Sequence, residues 1–420
     1  MASRAASLTR TAVGSPMPWP LRMTLTIALL SLPVGFYVAF RAAAALRVTT
    51  GLPRWQGRLG GLAALAAVYV FPLVMLARHL MGSRSGVPAE VLPVAPLDAA
   101  PLYLFWYGLI VLLEALPYLL VLDLLSLPLL VSRRLREQWR EPAAILRLTI
   151  ILVFLLYVPV RMAADTMMIR RNEIPVVIEN LPPALEGLRI GLIGDLQFDQ
   201  YTGEEKARSV RSILEEAGVE LVVFAGDLVT SGRSFVPLGI RSVCPPPVPG
   251  ASIAVIGDHD YWSDRATIPL AMRECGWQFL ENDTTTLMLR GEAVQITGLT
   301  HVYSARLDSA AMEEALAPAS GAALRLLVSH QPAIPLVEAA RRNGYDLVLA
   351  GHTHGGQIVF RPFGIRVTPS RFETRYVSGL YHAGATAVVV TNGIGFTLTP
   401  VRYHAPAEVT TVTLTAHGTK

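Results

Sequence analysis

Cysteine is almost missing from this 420-residue chain; Cys244 and Cys275 are the only two. They lack the CxxC spacing of a zinc site and are too few to define a disulfide framework, so both read as half-buried thiols. Lysine is as scarce, with Lys206 and Lys420 alone, so arginine carries nearly all the positive charge. Charged residues make up only 16% of the chain, against 52% hydrophobic ones, and the mean hydropathy of +0.43 is high for a purely soluble protein. The charge is divided unevenly. Residues 1–171 hold seventeen Arg against seven acids, a balance of +10, while residues 172–420 hold nineteen Lys+Arg against twenty-five acids, a balance of −6. The pI of 9.1 therefore belongs to the apolar half, where Arg clusters flank hydrophobic stretches, and is not the footprint of a nucleic-acid binder. The length calls for at least two units; the change in texture after Arg171 divides the chain into 1–171 and 172–420.

Four apolar stretches bounded by charge occupy the first unit: Met23–Phe40, Leu59–Ala77, Leu102–Val131 and Ala143–Val160. About 20 residues of helix cross a hydrocarbon core, so these predict an all-α bundle of about four transmembrane helices. The third stretch is long and holds Pro117, a candidate kink. The fourth carries Arg147 near its start, where a long side chain can snorkel to the headgroups. A cleaved signal peptide is the rival reading of the first stretch, but the three later stretches favour an uncleaved multi-pass anchor. The densest basic cluster, Arg133, Arg134, Arg136 and Arg140, reads as a loop between spans three and four. By the positive-inside rule it faces the cytoplasm and puts residues 172–420 outside. Arg4, Arg10 and Arg22 before span one, and Arg161, Arg170 and Arg171 after span four, pull the other way. Glu114 and Asp123 lie inside the third stretch, where acids are costly, but nine residues of helix put them on opposite faces.

The second unit alternates short apolar runs with helical stretches. Leu188–Ile193, Leu221–Ala225, Ile253–Ile256, Leu326–Ser329 and Leu347–Ala350 read as buried strands, with Ala387–Thr391 and Val409–Thr415 near the end. Gly203–Ala217, Asp264–Cys275, Asp308–Ala317 and Pro335–Arg342 read as helices, and Thr284–Leu289 with Ala293–Thr297 as a hairpin about Arg290-Gly291. This is an α/β layered domain. Its chemistry-bearing residues cluster where strands end, the place open α/β sheets use for ligands. In order they are Asp195-Leu196-Gln197, Gly226-Asp227, Gly257-Asp258-His259-Asp260, Ser329-His330 and Gly351-His352-Thr353-His354. A lone Gly-Asp after a strand is an ordinary turn; five such fragments, each after an apolar strand, are not explained by turn chemistry.

That order resembles the calcineurin-like metallophosphoesterase superfamily, whose pattern runs D-x-H, GD, GNH with a following acid, a His, then GHxH. The likeness spans most of 188–414 and extends to Gly355-Gly356-Gln357-Ile358, Asn392-Gly393-Ile394-Gly395 and Pro400-Val401-Arg402. It is close to the branch with small, often membrane-associated domains. The resemblance implies a four-layer αββα sandwich with a binuclear centre at one edge. It implies that Asp195, Gln197, Asp227 and His354 hold one metal and that Asp227, Asp258, His330 and His352 hold the other, with Asp227 bridging. It further implies that a hydroxide activated between the two ions hydrolyses a phosphomonoester, phosphodiester or pyrophosphate bond. His259 would donate a proton to the leaving group or steady the charge that develops there, with Asp260 orienting it.

This chain departs from the pattern twice. Gln197 stands where the family has His, and Asp258 where it has Asn. Both keep a coordinating oxygen, and together they make the site harder and more anionic, favouring Mn²⁺ or Mg²⁺ over Fe, Zn or Co. Asp199 can add a further oxygen or serve as a loop acid. His301, His382, His404 and His417 show no ligand spacing. The reading is a phosphoesterase acting on a phosphorylated, lipid-linked substrate at the membrane, with no nucleic acid as partner. The alternative is a catalytically inactive metal-binding sensor or scaffold. A transporter is disfavoured, since the spans show no repeat.

Overall fold

The computed structural model describes residues 17–82, 96–317 and 321–416; His417, Arg4 and Arg10 lie outside them. The chain divides into two compact units, Met1–Pro159 and Val160–Lys420.

The first unit is helical: α1 (Trp19–Thr50), α2 (Arg54–Gly82), α3 (Pro96–Ser126) and most of α4 (Arg133–Met167). All four helices are long and apolar enough to cross a membrane. Two sequence expectations are corrected here. The basic cluster 133–140 is not a loop but the opening turns of α4, the turn itself being confined to residues 127–132. Arg147 does not snorkel outward; it pairs with Asp123 at 2.9 Å. Asp123 also accepts from Tyr37 at 2.6 Å and pairs with Arg41. A carboxylate in an apolar helix is costly alone and tolerable when paired, so one acid ties together α1, α3 and α4. Glu114 is buried, and α3 runs on through Pro117.

The second unit is built on two six-stranded sheets. The first contains β1 (Arg170–Val177), β2 (Arg189–Ile193), β3 (Leu221–Phe224), β4 (Ser252–Ala254), β5 (Gln278–Phe279) and β12 (Glu408–Thr415), in the order β1-β12-β2-β3-β4-β5. The second contains β6 (Asp283–Leu289), β7 (Glu292–Leu299), β8 (Leu324–Ser329), β9 (Leu347–Ala350), β10 (Gly379–Ala383) and β11 (Thr386–Val390), in the order β10-β11-β9-β8-β7-β6. Strands β2 to β5 are parallel, as are β7, β8, β9 and β11. Parallel strands are covered on both faces, which is why they read as continuous apolar runs. Ile190, Leu192, Val223 and Ile253 of the first sheet pack against Leu326, Val328, Leu349 and Val389 of the second.

The outer face of the first sheet is covered by α5 (Glu204–Ala217), α6 (Val236–Val243) and α8 (Thr267–Glu274), preceded by the short α7 (Asp258–Asp264). The outer face of the second is covered by α9 (Ser309–Ala315) and α10 (Ile334–Arg342). This is a four-layer αββα sandwich. The expected helix 264–275 is broken at Arg265-Ala266 into α7 and α8. Strand β1 escaped notice because its polar residues and Pro175 suit only a sheet edge. The cysteines are also corrected: Cys244, closing α6, and Cys275, closing α8, form a disulfide with Cα atoms 5.8 Å apart. The two helices lie side by side on one sheet, which a spacing of 31 residues does not disclose.

Candidate metal centre

Parallel strands deliver their following residues to one edge, and here both sheets do so towards each other. Strand β2 leads into Asp195 and Gln197, β3 into Asp227, β4 into Asp258 and His259, β8 into His330, and β9 into His352 and His354. Asp195, Gln197, Asp227, His352 and His354 all have positive φ, between 48° and 70°. Non-glycine residues seldom adopt that conformation, and its concentration at one place marks a site where function outweighs backbone comfort. Space is equally tight: a Cβ on Gly257 would lie 2.1 Å from Asp227 Oδ1, and one on Gly351 2.5 Å from Asp195 Oδ2.

Two groups of side chains offer ligand atoms within 4.8 Å of one another: Asp258 with His330 and His352, and Asp195 with Asp227 and His330. His330 thus sits between the two. Its Nδ1 is held by the Ala225 carbonyl at 2.7 Å, turning Nε2 to within 3.3 Å of Asp227 Oδ2 and 3.5 Å of Asp258 Oδ2. His352 presents Nδ1 to Asp258 Oδ2 at 2.9 Å, while its Nε2 meets Glu373 Oε1 at 3.0 Å. A ring nitrogen held by a carbonyl or carboxylate leaves the other nitrogen available to a metal, the usual outer support of such sites. His354 Nε2 lies 3.5 Å from Asp195 Oδ1. Gln197 directs Nε2 to Asp227 Oδ2 at 3.1 Å and to His354 Nε2 at 3.4 Å, and its Oε1 is buried without a hydrogen-bond partner.

Does this donor set fit metal ions? Three buried carboxylates, three imidazoles and an unsatisfied amide oxygen have little reason to meet except around cations. The electrostatics agree. Burial raises Asp195 to about 6. Burial also opposes charge on His330, yet Asp227, Asp195 and Asp258 outweigh it and push its pKa well up. At His352 burial is again outweighed, by Asp258 and Glu373, and the ring rises to about 9. In each case a carboxylate cluster is seeking positive charge. His354 goes the opposite way, pushed well down by burial and the Arg402 guanidinium, so it is a neutral donor.

His259 lies beside this cluster. Its backbone N–H donates to Asp227 Oδ1 at 2.9 Å, and its Nδ1 is held by the Thr230 carbonyl. The expected orienting role of Asp260 is therefore corrected. Asp260 instead accepts backbone N–H groups from Leu228 at 2.8 Å, Val229 at 3.2 Å and Gly257 at 3.3 Å, fastening the β3 loop to the start of α7. Burial raises it to about 7. Asp199 is a loop acid rather than an extra ligand: it accepts from Tyr201 N, Thr202 N and Thr230 Oγ1. Among the other histidines, His301 is buried and accepts from Leu307 N.

Sequence reasoning missed four contributors. Gln331 clamps both Asp258 oxygens, at 3.0 and 2.9 Å, and its only signal was adjacency to His330. Thr230 supplies a carbonyl, which no side-chain pattern reveals. Tyr303 donates its N–H to Asp258 at 2.9 Å and its hydroxyl to Glu373 at 2.6 Å; both residues lie on irregular loops. The tail motifs gain a physical reason as well. Arg402 is fully buried and donates to the carbonyls of His354, Asn392, Gly395 and Ala405, tying the final histidine loop to the closing run.

An αββα sandwich with buried carboxylates and imidazoles at the strand ends has the donor set to hold metal ions. Residues 188–356, within the second unit, match the family model of the calcineurin-like phosphoesterases, and the chain resembles that family there. It is similar to the uncharacterized metallophosphoesterase YkuE of Bacillus subtilis, with 28% identity over 59% of this chain and 86% of that one. It is also similar to a transmembrane protein with metallophosphoesterase domain of Danio rerio, with 27% identity over 58% of this chain and 56% of that one. A metallophosphoesterase of Aquifex aeolicus matches at 26% identity over 60% of this chain and 95% of its own length. Four helices of the chain are long and apolar enough to cross a membrane, and a transmembrane protein is among the relatives that share the metallophosphoesterase domain.

Proposed function

We propose that the chain is a multi-pass membrane enzyme whose second unit faces the extracytoplasmic side and hydrolyses a lipid-linked phosphate ester or pyrophosphate with two divalent ions, Mn²⁺ or Mg²⁺ being favoured. The observation that carries the reading is the convergence of Asp195, Asp227 and Asp258 on His330. Asp227 Oδ2 lies between Gln197 and His330, one from each proposed ligand set, which suits a bridging role. Asp195, Gln197, Asp227 and His354 would hold one ion, and Asp227, Asp258, His330 and His352 the other. A half-turn of the Gln197 amide brings its unpartnered oxygen to the place of its nitrogen. The ions would supply Lewis acidity and lower the pKa of a water. His259, with Nδ1 fixed by Thr230, can give a proton from Nε2 to the departing oxygen.

Two observations support the extracytoplasmic side. The arginines at the start of α4 favour a cytoplasmic position for that end, and a structural disulfide persists in oxidising compartments, where Cys244–Cys275 would lie. Reporter fusions after Arg171 test the side: signal from an export-dependent reporter is expected, and signal from a cytoplasm-only reporter would reverse it. Activity is tested on the purified full chain with soluble phosphomonoesters and phosphodiesters, before and after chelation. Turnover that returns with Mn²⁺ supports the proposal, whereas metal binding without turnover for any ion would favour the sensor or scaffold.

A further inference from the structure

Beside the metal centre stands a feature that hydrolysis itself does not require. Phe360 and Val367 pair through two backbone hydrogen bonds of 2.9 Å, closing a small hairpin whose tip is Pro362–Gly364. Phe363, at the tip, has φ 51°, a conformation that is rare for a bulky side chain. The apolar residues of this segment point away from the core. Phe372 is 96% exposed, Ile365 64%, Phe363 56% and Val367 48%. Between 360 and 372 there are three arginines, Arg361, Arg366 and Arg371, and no acid.

This is not a loose loop. Arg366 donates to the Gly355 carbonyl at 2.7 Å, Thr368 Oγ1 to that of Gly356 at 3.3 Å, and Thr374 Oγ1 to that of Pro332 at 2.8 Å. The segment is therefore fastened to the stretch that carries His352 and His354. Immediately after Phe372, Glu373 turns inward to His352 Nε2 and to the Tyr303 hydroxyl. Tyr303 stacks in parallel on the half-exposed Trp262, with ring centres 6.3 Å apart. The exposed hairpin and the aromatic rim thus meet at the mouth of the centre.

A contiguous apolar projection on a soluble surface marks an interaction site. When arginines flank it and no acid interrupts it, the complementary surface is an anionic bilayer interface, which takes apolar tips into the headgroup boundary and attracts the cations. The chain's own four membrane-length helices supply the occasion. We infer that residues 360–372 are a membrane-docking hairpin that seats the mouth of the metal centre on the headgroup layer of an anionic membrane. Resting on the proposed hydrolytic activity, the consequence is selectivity: the site serves phosphate esters whose apolar part stays in the bilayer.

The test uses the full chain in nanodiscs. Both native cysteines are engaged in the disulfide, so Phe372→Cys can be labelled selectively with a fluorophore and read against nitroxide-bearing lipids. Met288→Cys, exposed near the opposite end of β6 and β7, is the reference. Position 372 is expected to be quenched, more strongly in phosphatidylglycerol discs than in phosphatidylcholine discs, while position 288 is not. In parallel, Ile365→Asp with Phe372→Asp should raise the apparent KM for a lipid-borne phosphate ester on the order of tenfold and leave nitrophenyl phosphate hydrolysis nearly unchanged. A probe at 372 that is no more quenched than one at 288 overturns the inference even if the enzyme is active. Quenching at 372 without hydrolysis of any ester leaves the docking standing and removes the activity. Equal loss on both esters in the double variant would overturn the selectivity.

Discussion

The two halves of the proposed centre are built to different standards. Around Asp258, His330 and His352 every ligand is braced: Asp258 by Gln331 and the Tyr303 N–H, His330 by the Ala225 carbonyl, His352 by Glu373. Around Asp195, Gln197 and His354 the bracing is thinner. Asp195 accepts the His352 N–H at 3.1 and 3.0 Å, but Gln197 keeps a buried oxygen with no partner, and His354 faces a guanidinium. The first half offers two imidazoles and a carboxylate fixed in advance; the second offers mostly oxygen and one imidazole. Preorganised ligands bind with less loss of freedom. The ion at the braced half should therefore be the tighter one, and the ion at the Gln197 half the looser and harder one.

The largest expected effect comes from Asp227, the residue proposed to bridge both halves. Asp227→Ala should abolish measurable turnover and bring bound metal, counted by elemental analysis, below that of either single-half variant. Two ions retained per chain would mean that Asp227 does not bridge. Next, His259→Ala should lower turnover by about 10²–10⁴-fold, the range for a lost general acid, at near-normal metal content. A nitrophenolate leaving group, which needs no proton, should recover part of the loss. Metal content falling as far as in His352→Ala would make His259 a ligand instead.

A smaller change should separate the halves. Glu373→Gln removes the charge that steadies His352 and should weaken only the tighter ion, by about 10–100-fold, in a direct metal titration. Equal weakening of both ions would erase the distinction. The smallest effect is a change of preference rather than of rate. Gln197→His with Asp258→Asn restores one nitrogen and removes one charge, and should move the ranking of activating ions from Mn²⁺ and Mg²⁺ towards Zn²⁺ and Co²⁺. An unchanged ranking in a panel of ions would show that these residues do not set metal choice.

Much of this was legible in the sequence, for reasons that also explain what was not. Asp195, Gln197, Asp227, Asp258, His330, His352 and His354 stand just after apolar runs, so strand ends predicted their meeting place. The four apolar helices were legible by length alone. Residues that act through space and not through pattern stayed hidden. Thr230 contributes a carbonyl, Glu373 reaches His352 across 21 residues of irregular chain, and Gln331 reaches Asp258 across 73. The Cys244–Cys275 bond depends on α6 and α8 sharing one face of a sheet. Asp260 illustrates the opposite error: adjacency to His259 suggested a partner, but on α7 its carboxylate points back to the amides of the preceding loops.

If two ions of unequal affinity make this chain an enzyme, a stoichiometric titration will resolve them. The full-length protein, stripped with chelator, is titrated with Mn²⁺ while heat and phosphoester turnover are followed together. The expected result is two binding steps of different affinity per chain, with turnover rising on the second. Saturation of both binding and turnover at a single ion, or two ions bound with no turnover, would contradict it.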